Sequence, residues 1–124
     1  MLKRLVAAAV VVIVMLSGSA MAGPAEDADA AHERGDYATA LRLLRPLAEQ
    51  GFADAQYNLG FLYDQGEGVT QDYVLAHMWW DLAAARGNEN AAINRDDLAA
   101  HKMTPDQITE AQRLAREWKP TTDT

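Results

Sequence analysis

The sequence predicts an all-α protein: two helix pairs stacked on one another and closed by an amphipathic C-terminal helix. Three observations predict it. A pattern returns after 36 residues, with Gly35-Asp36-Tyr37-x-x-Ala40 echoed by Gln71-Asp72-Tyr73-x-x-Ala76. Farther along, Ala48 answers to Ala84, Gly51 to Gly87, Ala55 to Ala91, Asn58 to Asn94 and Leu62 to Leu98. A fixed period of this length marks a repeat protein whose units bury their apolar faces only by stacking on neighbours. Within each period apolar residues recur at helical spacing, and glycine stands where a helix would end. Finally, Thr104-Pro105-Asp106-Gln107 is a strong helix start: Thr104 caps, Pro105 takes the first helical position and Gln107 closes a capping box.

The elements follow in order. Residues 1–22 have the layout of a secretory leader. Lys3 and Arg4 precede the apolar run Leu5 to Leu16, Ser17-Gly18-Ser19 breaks it, and Ala20-Met21-Ala22 is the small-x-small pattern of a cleavage site after Ala22. Twelve helical residues would rise about 18 Å, short of a hydrocarbon core of about 30 Å. The expectation is therefore export to the periplasm or beyond, with no membrane insertion after cleavage. Residues 23–34 interleave acids with Ala28, Ala30 and Ala31 and read as a frayed leading segment or short helix.

The repeat domain is expected over 35–119, with units at about 35–70 and 71–103 and the closing helix at 104–119. Its first helix covers Tyr37 to Gln50, with Ala40, Leu43, Leu44, Leu47 and Ala48 on one side. Pro46 lies inside it and removes the hydrogen bond to the Arg42 carbonyl, which predicts a kink. Gly51 suits a left-handed end. The second helix runs from Ala53 to Gln65 on Ala55, Leu59, Leu62 and Tyr63. Gly60 in its middle costs about 1 kcal/mol against Ala, which close approach of a neighbouring backbone would justify. Gly66-Glu67-Gly68-Val69 is a tight connector, and Thr70 is placed to cap a third helix over Gln71 to Arg86. That helix carries Tyr73, Ala76, Trp79, Trp80, Ala83 and Ala84 and stops at Gly87. Asn88 caps the fourth, Glu89 to Lys102. The closing helix lines up Ile108, Ala111, Leu114, Ala115 and Trp118, expected to cover the fourth helix near Ile93 and Leu98. Pro120 to Thr124 reads as a loose tail.

Ala55-Gln56-Tyr57-Asn58-Leu59-Gly60-x-x-Tyr63, Gly66-x-Gly68-Val69 and Asp72-Tyr73-x-x-Ala76-x-x-Trp79-Trp80-x-x-Ala83-Ala84-x-x-Gly87 resemble the Sel1-like repeat family. The resemblance implies a short right-handed solenoid of antiparallel helix pairs, related to tetratricopeptide repeats, whose inner helices bind other proteins. Secreted bacterial members commonly act as adaptors. It also implies structural roles for Gly51, Gly60, Gly87, Ala55, Ala76 and Ala84. The chain departs from the family in two places: Leu43 and Leu44 stand where aromatics are common, and the second unit lacks the Gly-x-Gly loop.

Chemistry is sparse. The only serines, Ser17 and Ser19, belong to the leader, and there is no cysteine, so serine and thiol nucleophiles are missing after export. Thr39, Thr70, Thr104 and Thr109 read as caps or helix surface. His32, His77 and His101 stand apart. His77 and Asp81 share a helix face and would make half a metal site or, more simply, a surface pair. No catalytic residue, metal or cofactor is expected.

Losing Lys3 and Arg4 while keeping all 18 acids takes the formal charge from −7 to −9. That suits a basic protein surface and disfavours nucleic acid and anionic lipid. The expected partner is another protein of the cell envelope, with Trp79, Trp80, His77 and Tyr73 as candidate partner-binding residues because aromatics anchor interfaces. The competing reading is an accessory subunit or small carboxylate enzyme acting on envelope polysaccharide, which would need two acids converging in a cleft.

Overall fold

The computed structural model describes residues 23–121; the leader, 1–22, and the last three residues lie outside them. Among the described residues there are six helices and no strand: α1 (Pro24–Glu33), α2 (Tyr37–Gln50), α3 (Ala53–Gln65), α4 (Tyr73–Ala85), α5 (Glu89–Lys102) and α6 (Pro105–Glu117). None is long and apolar enough to cross a membrane.

The leading segment is not frayed. Pro24 opens α1, and the Gly23 amide donates to Glu26 Oε2 at 3.0 Å. Ala28 and Ala31, three apart, are fully buried, while Asp29 between them is exposed. A strip without long side chains lets α2 come close, so α1 joins the stack as a full layer.

Four of the five later starts use a polar cap, while α3 begins at Phe52 without one. Asp36 Oδ1 accepts from the Thr39 amide at 3.3 Å, Asn88 Oδ1 from Ala91 at 2.9 Å, and Thr104 with Gln107 makes the reciprocal box. The third start differs from expectation. Asp72, not Thr70, caps α4, taking the Leu75 amide at 3.1 Å. Gln71 stays outside the helix and donates through Nε2 to the Asp64 carbonyl at 2.8 Å, which ties the connector to the end of α3. α2 runs through Pro46 without interruption, with the proline exposed.

Helix ends turn on glycine where the backbone requires it. Gly51 has φ +101°, and the amides of Gly51 and Phe52 return to the Ala48 and Leu47 carbonyls. Gly68 has φ +75° and passes so near the Tyr37 carbonyl that a Cβ would stand 2.9 Å from its oxygen.

Two apolar clusters hold the layers. One joins Ala28, Leu44, Ala48, Leu59, Leu62, Met78 and Trp79; the other joins Ala76, Trp80, Ala83, Ala91 and Leu98. Helices stack successively, α1 on α2, α2 on α3, α3 on α4 and α4 on α5. The closing helix breaks the sequence. It packs on α4, not on α5 as the sequence suggested: Trp118 meets Trp79 edge-on with ring centroids 6.2 Å apart, and Leu114 and Ala115 join the first cluster. Ile93 is accordingly 66% exposed, while Leu98 is buried in the second cluster.

The cause is physical. Met103 and Thr104 are both extended, so the chain leaves α5 before it turns into α6. There α4 offers Met78, Trp79 and Leu82, whereas α5 carries the exposed carboxylates of Asp96 and Asp97. Of the tail only Pro120 and Thr121 are described, and the Thr121 amide donates to the Glu49 carbonyl at 2.7 Å beside the end of α2.

Candidate functional site

α4 carries all four residues singled out as partner contacts, and the structure closes three of them off. Trp80 is 3% exposed, and its indole N–H donates to the Tyr57 carbonyl at 3.0 Å. Its ring lies on Gly60, where a Cβ would stand 2.6 Å from Cδ1 and Nε1. The close neighbour that explains Gly60 is therefore an indole, not a backbone. Trp79 is 7% exposed beneath Trp118.

Trp80 fills the volume left by Gly60, Ala76, Ala83 and Ala91, and Trp79 packs with Leu44, Leu59 and Met78 in the first cluster, so packing accounts for both. Of the other residues implied as structural, Ala55 and Ala76 are buried and Ala84 is half-buried; Gly87 adopts φ +100°.

His77 is 3% exposed, and its Nδ1 has no hydrogen-bond partner. Burial pushes its imidazole below the usual histidine range, with the Asp81 carboxylate opposing. Asp81 is itself taken by Arg95 at 2.8 Å, so the two do not make half of a metal site. Among the described residues no group of three or more His, Asp or Glu is gathered for a metal ion. Tyr73 alone of the four is half-buried, and the Lys102 ammonium sits 5.7 Å from its ring centroid.

The open surface lies elsewhere, across α1, α3 and α5. A cleft of about 220 Å³ between α1 and α3 is lined by Asp29, His32, Tyr57, Asn58 and Phe61. A second of about 130 Å³ between α3 and α5 is lined by Phe61, Asp64, Trp80, Asn94, Asp97 and Lys102. Phe61 borders both, and the Tyr57 hydroxyl reaches Asn94 Nδ2 at 3.5 Å, so the two clefts form one surface. His32 crosses from α1 to the connector, with Nε2 2.8 Å from Glu67 Oε2 and its ring 5.2 Å from Tyr37. Sequence reasoning passed over these residues, although the recurrence of Asn58 at Asn94 was the available signal.

The second cleft does bring two acids together, but each is engaged. Asp64 Oδ2 accepts from Gln65 Nε2 at 2.6 Å, and Asp97, 73% exposed, meets His101 Nδ1 at 3.1 Å. Small-molecule pockets usually start near 300 Å³, well above this space. A third hollow, about 370 Å³ and mostly apolar, lies at the opposite ends of the helices between Pro24, Leu47 and the exposed Phe52.

Layers of paired helices with an irregular closing helix and one continuous grooved face define a helical-repeat scaffold. Residues 29–52 and 53–88 each match the family model of the Sel1 repeat, and the chain is a Sel1-like repeat protein. The matched units pair α1 with α2 and α3 with α4, whereas the sequence reading phased them as α2 with α3 and α4 with α5. Among curated proteins none matches the chain. Sel1 repeats are protein–protein interaction modules, and the family is generally non-catalytic.

Proposed function

We propose that this protein is an exported, non-catalytic adaptor or regulator that acts in the cell envelope by binding another protein on the face of α1, α3 and α5. The observation that carries the reading is the division of labour among side chains. The core and the closing helix use Trp79, Trp80 and Trp118, while Tyr57, Asn58, Phe61 and Asn94 sit half-buried on the grooved face. Half-buried aromatics beside polar side chains are a common make-up for an interface core. The leader-like layout of residues 1–22 supports export, and the acidic balance supports a partner surface that is basic where it touches.

Crosslinking in intact cells followed by mass spectrometry tests it. The expected result is one recurrent envelope protein attached to a chain whose mass starts at Gly23. Recovery of the chain with residues 1–22 still present, or with no recurrent protein attached, would contradict the proposal.

A further inference from the structure

α2 carries a feature that the fold does not need. Pro46 stands in its interior and is exposed, so no burial offsets the cost of a proline inside a helix. Breaks with local rules of this kind concentrate at functional sites. Any other residue at 46 would donate its N–H to the Arg42 carbonyl; proline has none, and that acceptor lacks its regular helical donor.

Pro46 borders a hollow of about 360 Å³ that Ala38, Leu41, Arg42, Arg45 and Glu49 complete. The hollow lies on the side of α2 turned away from the buried Ala40, Leu44 and Ala48. Its volume falls within the range of ligand pockets, about 300–1,000 Å³. None of its residues lines either cleft of the grooved face.

The charges there run against the rest of the chain. Acids outnumber lysine and arginine by 18 to 11. Even so, Arg42 has no ion-pair or hydrogen-bond partner among the described residues, and Arg45 has only the Tyr63 hydroxyl, at 3.3 Å from Nη2. By contrast, Arg95 and Arg113 are each held by two carboxylates. Side chains three apart on a helix share one face, with Cβ atoms about 5–6 Å apart. Two guanidinium forks at that spacing can take carboxylates bidentately.

The remaining lining selects among anions. Leu41, packed against the first cluster, makes an apolar floor with Ala38 and the Pro46 ring, suited to an aliphatic side chain. The Arg42 carbonyl can take a donor, which a peptide amide supplies and a phosphate does not. Glu49 closes the hollow with a charge that would repel a phosphate or a polyanion.

We infer that this hollow is a second docking site, which takes an extended acidic segment of a partner protein distinct from the basic surface proposed for the grooved face. Carboxylates of that segment meet Arg42 and Arg45, one of its amides donates to the Arg42 carbonyl, and an aliphatic side chain rests on Ala38, Leu41 and Pro46. Two separate sites of opposite preference are what a protein needs to join two others.

A random heptapeptide library tests it, panned in parallel on the purified protein and on its Arg42→Gln, Arg45→Gln double variant, with fluorescence polarisation on the recovered peptides. Both arginines are exposed, so the double variant should keep the parent's thermal midpoint. Peptides recovered from the parent alone should carry Asp or Glu beside Leu, Ile or Val, and should bind the double variant at least tenfold more weakly. Pro46→Ala returns an N–H to the Arg42 carbonyl, so it should raise the thermal midpoint while weakening the same peptides severalfold. A proline with a merely structural role would not move the two readouts in opposite directions.

Equal recovery from the parent and the double variant would overturn the inference. So would basic or uncharged sequences among the arginine-dependent peptides, or full affinity in Pro46→Ala. Binding to phosphatidylglycerol vesicles that the double variant abolishes would assign the hollow to a lipid surface and overturn it as well. The hollow shares no residue with the grooved face, so failure here leaves the proposed function standing.

Discussion

Gly60→Ala sets two well-known effects against each other, and the structure decides between them. In a helix interior, exchanging Gly for Ala favours folding by about 1 kcal/mol. Against that, the new methyl would stand 2.6 Å from both Cδ1 and Nε1 of Trp80. The indole has little room to yield, because it is buried and donates to the Tyr57 carbonyl at 3.0 Å. Overpacking typically costs about 1–3 kcal/mol, and straining or losing a neutral hydrogen bond costs about 1 kcal/mol more. The balance is a net destabilisation of about 2 kcal/mol. For a domain of about 100 residues, that lowers the thermal midpoint by roughly 8–16 °C.

Circular dichroism melts and urea titrations of the two proteins measure it, with an unchanged urea slope confirming the same fold. A second variant locates the cause. In a Trp80→Phe background the methyl meets a smaller ring without the hydrogen bond, so Gly60→Ala should cost at least about 1 kcal/mol less there. A raised midpoint for Gly60→Ala in the unmodified protein would show that helix propensity wins and that the α3–α4 contact is looser than described.

Three further outcomes follow from the packing. Trp118→Ala should cost about 2–3 kcal/mol by urea titration, below the 3–5 of a fully buried aromatic, because the ring is half-buried between Trp79 and the Arg86 guanidinium at 5.9 Å. Gly51→Val should cost about 1–3 kcal/mol from its left-handed backbone and also push aside Arg86, whose Nη2 would lie 2.8 Å from a Cβ; a thermal midpoint equal to the parent's would refute it. His77 has a depressed pKa in the fold, so the unfolded chain binds the extra proton. Its contribution is present above the ordinary histidine range and is lost as pH falls below it, and urea stability of His77→Leu should accordingly fall less than the parent's between pH 7.5 and 5.

Much of the fold was legible because its signals are local. The bounds of α2, α3 and α5 coincide with those read from apolar spacing, glycine ends and caps. What escaped depends on which layer lies next door. Spacing alone placed Trp79 and Trp80 on α4 but did not show that Gly60, a helix away, leaves a seat for an indole. The seat of α6 turns on two extended residues at Met103 and Thr104 and on the charges along α5, so its apolar stripe gave the right helix and the wrong neighbour. α1 looked frayed because alanines give a weak apolar signal, although small side chains are what let α2 approach. The grooved face was visible only as the recurrence of asparagine, since its clefts exist once three helices are side by side.

The central claim is that the face of α1, α3 and α5 is where this protein meets its partner. A photo-crosslinking amino acid at position 61 on that face, and separately at exposed position 113 on α6, tests it most directly in intact cells. The account predicts one discrete envelope-protein adduct from position 61, lost when Asn58→Ala and Asn94→Ala are added, and none from position 113. Adducts of equal yield from both positions, or from position 113 alone, would contradict it.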